Sequence, residues 1–136
     1  MIKNPKHGWC TFSLGTFVGT PSYLTDVPMD LLDVFINYFE NGYSAVVFDE
    51  EGTDFTLVMT AYNDSIFIIA ERYEKPTLHN FSNFNVRDLA NELINDLESD
   101  LHGWSLFLAN DDPEEIKLHR DEIRQKIAKL KKMMEK

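Results

Sequence analysis

The chain has 136 residues, 43% hydrophobic and 12% aromatic, which suffices for one domain with a real core and is too rich in core formers for a disordered segment. Its net charge of −10 is uneven: residues 1 to 111 hold 17 acids against five Lys or Arg, net −12, while residues 112 to 136 hold six acids against eight bases, net +2. Such a body argues against direct nucleic-acid binding, which needs clustered Lys and Arg, and no apolar run approaches the roughly 20 residues of a membrane span.

The N-terminal MIKNPKHGWC lacks the hydrophobic stretch of a secretory signal, so the expected location is cytoplasmic. A lone cysteine, Cys10, agrees with a reducing compartment. Period-two alternation places Cys10, Phe12, Leu14 and Val18 on one side of a half-buried strand, punctuated by Gly15 and Gly19. The following loop ends in a helix start, with Asp26 as the cap and Pro28 near the first helical position. Leu31, Leu32, Phe35, Tyr38 and Phe39 then recur at helical spacing until Asn41-Gly42 stops them.

Three segments rich in Val, Ile, Phe and Thr come next, Tyr43 to Phe48, Phe55 to Tyr62 and Ser65 to Tyr73. Their connections are short enough to require antiparallel hairpins. EKPTLHNFSNFN reads as a connecting loop lying across a sheet edge. Helical spacing returns from Val86 to Leu108, capped by Asn85, with Gly103 bending or breaking it. Asn110-Asp111-Asp112-Pro113 then opens a last helix, whose narrow seam of Ile116, Ile123, Ile127, Leu130 and Met134 either packs lengthwise on the domain or mediates self-association.

The expected fold is therefore α+β, a single domain over residues 1–136. A four-stranded, mainly antiparallel sheet in order of appearance β-α-β-β-β is followed by two or three helices packed on one face, the last covering 113–136. Strand order does not follow from the sequence.

Four carboxylates, Asp49, Glu50, Glu51 and Asp54, crowd the hairpin between the first two strands of the meander. They lack the alternating ligand spacing and closing glutamate of a calcium loop. At a solvated tip Glu50 and Glu51 have no reason for shifted ionisation, so a turn or a binding patch is expected rather than catalysis or metal. His7, His79, His102 and His119 show no zinc spacing. The repeated tripeptide His-Gly-Trp at positions 7 and 102 has no matching surroundings and is not an internal repeat. Cys10 reads as a small buried hydrophobe, and Gly15 and Gly19 as residues that bend a strand or permit close packing, not as a phosphate loop. No catalytic residue, metal or cofactor is expected.

What remains is surface. Asp26, Asp30 and Asp33 on or beside the first helix, with Asp49, Glu50, Glu51 and Asp54 on the hairpin, form a continuous acidic face if the two regions adjoin. Tyr23, Tyr43 and Tyr62 lie near loops as candidate aromatic anchors. The bland reading of such a charge run is a solvated face.

The pattern GTFVGTPSYLTDVPMDLLDVF, followed by the VVFDEEGTDFT hairpin and a helical C-terminal half, resembles the small acidic immunity proteins encoded beside bacterial polymorphic toxins. That resemblance is one of size, charge and layout. It implies inhibition by direct binding to a toxin domain, often over its active site. The leading expectation is thus a cytosolic acidic binding protein that neutralises a basic, nuclease-like toxin domain. The alternatives are a small enzyme with a site assembled from His7, Cys10 and His102, and a structural or regulatory protein that dimerises through its last helix.

Overall fold

The computed structural model describes residues 1–72, 75–108 and 111–135. Tyr73 and Glu74, where the sequence places the end of a strand and the start of a loop, Asn110, at the start of the last helix, and Lys136 lie outside them. Among the described residues the fold is α+β, with two antiparallel sheets, four α-helices and a 3-10 turn at Tyr62–Asp64.

The first sheet is a meander of β1 (Ile2–Lys6), β2 (Trp9–Leu14) and β3 (Phe17–Gly19). His7 and Gly8 both take positive φ, +54° and +77°, the backbone required of a two-residue hairpin whose twist matches its strands. Gly15, at φ +57°, turns β2 into β3. Alternation in β2 buries Cys10, Phe12 and Leu14, as the sequence predicts, whereas Val18 points outward and is half exposed.

The helix α1 (Val27–Asn41) begins where the Asp26 carboxylate accepts the Met29 N–H and Pro28 occupies the first turn. It ends where Gly42, in the left-handed conformation, donates its N–H to the Tyr38 carbonyl at 2.8 Å. Then come β4 (Tyr43–Asp49), β5 (Asp54–Thr60), β6 (Ser65–Arg72) and β7 (Lys75–Asn80), a four-stranded antiparallel sheet in that order. Its membership differs from the expected one. The N-terminal strand segment pairs within its own sheet, and the fourth place is taken by β7, from the stretch that reads as a loop. All but one of the β7 side chains are exposed, and its Lys75 and Pro76 blunt a free edge.

The two sheets are stitched through the loop after β3: Cys10 donates to the Pro21 carbonyl at 3.1 Å and Ser22 to the Asp49 carbonyl at 2.9 Å. Four phenylalanines, Phe12 and Phe17 from the small sheet with Phe48 and Phe55 from the large one, interlock with ring centroids 5.1 to 6.3 Å apart. Gly19 allows this approach, since a Cβ there would lie 2.5 Å from the Phe55 ring.

Asn85 caps α2 (Val86–Ser99) by accepting the Asp88 N–H at 3.1 Å. The helical run breaks at Asp100, whose carboxylate caps the short α3 (Leu101–Ser105) through the Gly103 N–H. A side chain at position 103 would collide with that carboxylate. The last helix, α4 (Pro113–Met134), packs against α1 and α3 and buries His119, Ile123, Ile127 and Leu130. Within the chain, its seam lies lengthwise against α1 and α3. Among the described residues no helix is long and apolar enough to cross a membrane.

Candidate protein-binding surface

The ten residues expected to face a partner fall into separate places. On α1, the acids already meet cations from α4. The Lys126 ammonium binds Asp33, Lys129 reaches Glu40 at 3.4 Å, and Lys131 reaches Glu98 on α2 at 3.1 Å. His119 sets its Nε2 2.9 Å from Asp26 Oδ2 and its Nδ1 3.1 Å from the Ser105 carbonyl. Carboxylate and carbonyl both accept, so only the doubly protonated ring donates to both. The Asp26 bond accordingly raises the His119 pKa against the opposing effect of burial. Asp30 lies between Asp26 and Asp33; burial first, then those two neighbours, push its carboxyl up to about 6, only partly opposed by Lys126. The charge contrast between body and tail in the sequence is thus realised internally, with the basic helix laid over acidic ones.

At the hairpin, Glu50 turns inward, contrary to the expectation of a solvated tip. Its side chain is 4% exposed and paired with Arg72 Nη2 at 2.9 Å. The same carboxylate accepts the Thr20 N–H at 2.8 Å and the Thr53 hydroxyl at 3.1 Å. Burial by itself raises this carboxyl, but the Thr20 bond and the Arg72 guanidinium outweigh it and hold Glu50 below the ordinary range. Arg72 also donates to the Val18 carbonyl and lies over the Phe17 ring, 4.8 Å from its centroid. Glu50 therefore clamps the two sheets together rather than facing a partner. Nothing local in the sequence marks it, because the partners that bury it, Arg72 and Thr20, come from 22 and 30 residues away.

Asp49, Glu51 and Asp54 do remain on the surface. Asp49 accepts the Glu51 N–H at 2.6 Å, shaping the turn, and Glu51 stands at the tip with φ +58°. Among the described residues, no three His, Cys, Asp or Glu side chains are grouped to hold a metal.

The pleat of the large sheet connects Asp49 and Asp54 to residues that the sequence reading does not single out. Alternation turns Phe48, Phe55, Leu57, Met59, Ile66, Ile68 and Ala70 to the core, so their neighbours share the outer face. There the register sets Asp49, Asp54 and Glu71 directly across from one another, ending at Pro76. The next outward row is Val47, Thr56, Ile69 and Leu78, and the one beyond is Ala45, Val58, Phe67 and Asn80. Val47 and Leu78 are 52% and 66% exposed, so the face is apolar and open to solvent. Tyr43 lies in the row beyond these, with Tyr62 in the turn after β5 at that end, and both are largely exposed. Tyr23 sits elsewhere, against Gly8 at the turn between β1 and β2. The signal for this surface was present as outward apolar residues in β4, but only the cross-strand register joins them to Glu71 and Leu78.

The three residues of the enzyme alternative are not assembled in one cleft. The Cys10 thiol is buried, pushed up to about 12 by desolvation, and 3.8 Å from the Pro21 carbonyl. Such a thiol holds too little thiolate at neutral pH to act as a nucleophile. His7 lines an open cleft of about 420 Å³ with Gly8, Gly103, Leu106 and Phe107, to which neither Cys10 nor His102 contributes. The two His-Gly-Trp tripeptides meet there through their glycines. Comparison of the chain with protein families, characterised proteins and solved structures finds no match.

Proposed function

We propose that the protein is a cytoplasmic binding protein of the immunity type, which neutralises a basic, nuclease-like toxin domain by covering it. The observation that carries this reading is the open outer face of the large sheet, where apolar side chains border the Asp49, Asp54 and Glu71 row. A net −10 chain attracts a basic partner over long range and so speeds encounter. Desolvated apolar and aromatic anchors then set how long the complex lasts. No chemical step is required of the protein itself, since inhibition follows from occupying the toxin surface.

The test is co-expression with the toxin domain encoded beside it, followed by purification and a nuclease assay. A stoichiometric complex that abolishes activity, with an association rate that falls steeply with salt, is the expected result. A basic neighbouring toxin domain that retains full activity and elutes separately would exclude the reading.

A further inference from the structure

Three carboxylates directly opposed on adjacent strands repel one another, and among the described residues no ion pair neutralises Asp54 or Glu71. Arg72, the residue after Glu71, is held by Glu50 and lies over the Phe17 ring. Among the described residues the row thus has no ion-paired cation, and a basic partner can supply one. What kind of backbone supplies it follows from spacing. Adjacent strands stand about 4.8 Å apart, so the three carboxylates span about 10 Å across the strands. Helical side chains at i, i+4 and i+7 advance about 10.5 Å along one edge. Three same-face residues of an extended segment advance about 13.6 Å and fall out of step.

We infer that this face receives a basic amphipathic helix of the partner, lying across the strands with its Lys or Arg edge on Asp49, Asp54 and Glu71. Rows separated by two residues lie about 6.8 Å apart, so a helix 10–12 Å wide centred on Val47, Ile69 and Leu78 covers that row and directs long flanking side chains towards the acidic row on one side and Ala45, Val58 and Phe67 on the other. Four strands cover about 14 Å, which corresponds to a contact of about ten helical residues. A second copy of this chain brings a second acidic row to the same place and is disfavoured by charge. The inference rests on reading the protein as a binder of a basic partner.

The test is a titration of the isotopically labelled full chain with a synthetic 14-residue Lys/Leu peptide of amphipathic helical pattern, followed by amide chemical shifts. The control is a scrambled peptide of equal composition. Shifts centred on β4 to β7, at least tenfold weaker binding of the scrambled peptide, and at least tenfold weaker binding of the patterned peptide to the Asp54→Lys/Glu71→Lys and Leu78→Asp variants are expected. The inference is overturned if the two peptides bind alike, if shifts fall on α1 and α4, or if the same resonances move with protein concentration alone. An inhibited toxin domain that leaves this face unperturbed would overturn it while the proposed function stands. Peptide binding here, with no toxin inhibited, would remove the proposed function and leave the surface.

Discussion

Replacing Arg72 by alanine strands the Glu50 carboxylate, 4% exposed, between the two sheets. Removing one member of a buried pair typically costs about 3–5 kcal/mol, because the remaining charge is uncompensated. Glu50 keeps the Thr20 N–H and Thr53 hydroxyl, and the Arg72 side chain is itself 32% exposed, so the lower end, about 3 kcal/mol, applies. For a chain of this size that lowers Tm by about 10 °C. The Glu50→Gln/Arg72→Met pair leaves no buried charge and is expected within about 1 kcal/mol of wild type, since a neutral isostere avoids the desolvation penalty. Urea unfolding followed by circular dichroism, with an unchanged m value, measures both. Acidification adds a second check. The folded Glu50 pKa lies below its ordinary 4.5, so its stabilisation is present above that value and disappears as pH falls through the folded one. The gap between wild type and Arg72→Ala narrows on that side. A single variant within 0.5 kcal/mol of wild type at pH 7, on the order of an exposed pair, or a gap that widens in acid, refutes the clamp.

His119→Gln tests the link between α4 and α1. The folded pKa is raised above 6.5, so the stabilisation is complete below that pH and is lost as pH rises through the folded value; urea midpoints at pH 6 and 8.5 should differ more for wild type than for the variant. Asp30→Asn removes a carboxylate that resists ionisation below about pH 6 against an ordinary 3.8. It is expected to stabilise by about 1 kcal/mol above pH 6, after allowance for solvent screening, with the gain shrinking as pH falls towards 3.8, read by thermal unfolding across that range. Gly19→Ala drives a methyl into the Phe55 ring and should cost about 1–3 kcal/mol by overpacking, measured by the same urea curves.

The local rules carried much of the fold. Asp26, Pro28 and Gly42 bound α1, Asn85 opens α2, and the β4–β5 and β5–β6 hairpins fall where the turn residues and short connections put them. β1 and β7 were not legible, because each contains a proline and few buried side chains. A strand of that kind is defined by the neighbour it pairs with rather than by its own hydrophobicity. The candidate site was half legible for the same reason. Charge composition pointed to acids on α1 and the hairpin, but which of them are free depends on His119, Lys126 and Arg72, up to 93 residues distant. Glu71 and Leu78 enter only once strand register is known.

The docking of α4 also orders events in the cell. Ile123, Ile127 and Leu130, together with the cations for Asp26 and Asp33, emerge from the ribosome after every strand and the first three helices. Domains begin to fold from the N-terminus during synthesis, so the nascent body meets its surroundings with the α1 acids bare and the apolar seat of α4 uncovered. A premature stop near residue 112 therefore yields a sticky, strongly anionic intermediate rather than a shorter working protein.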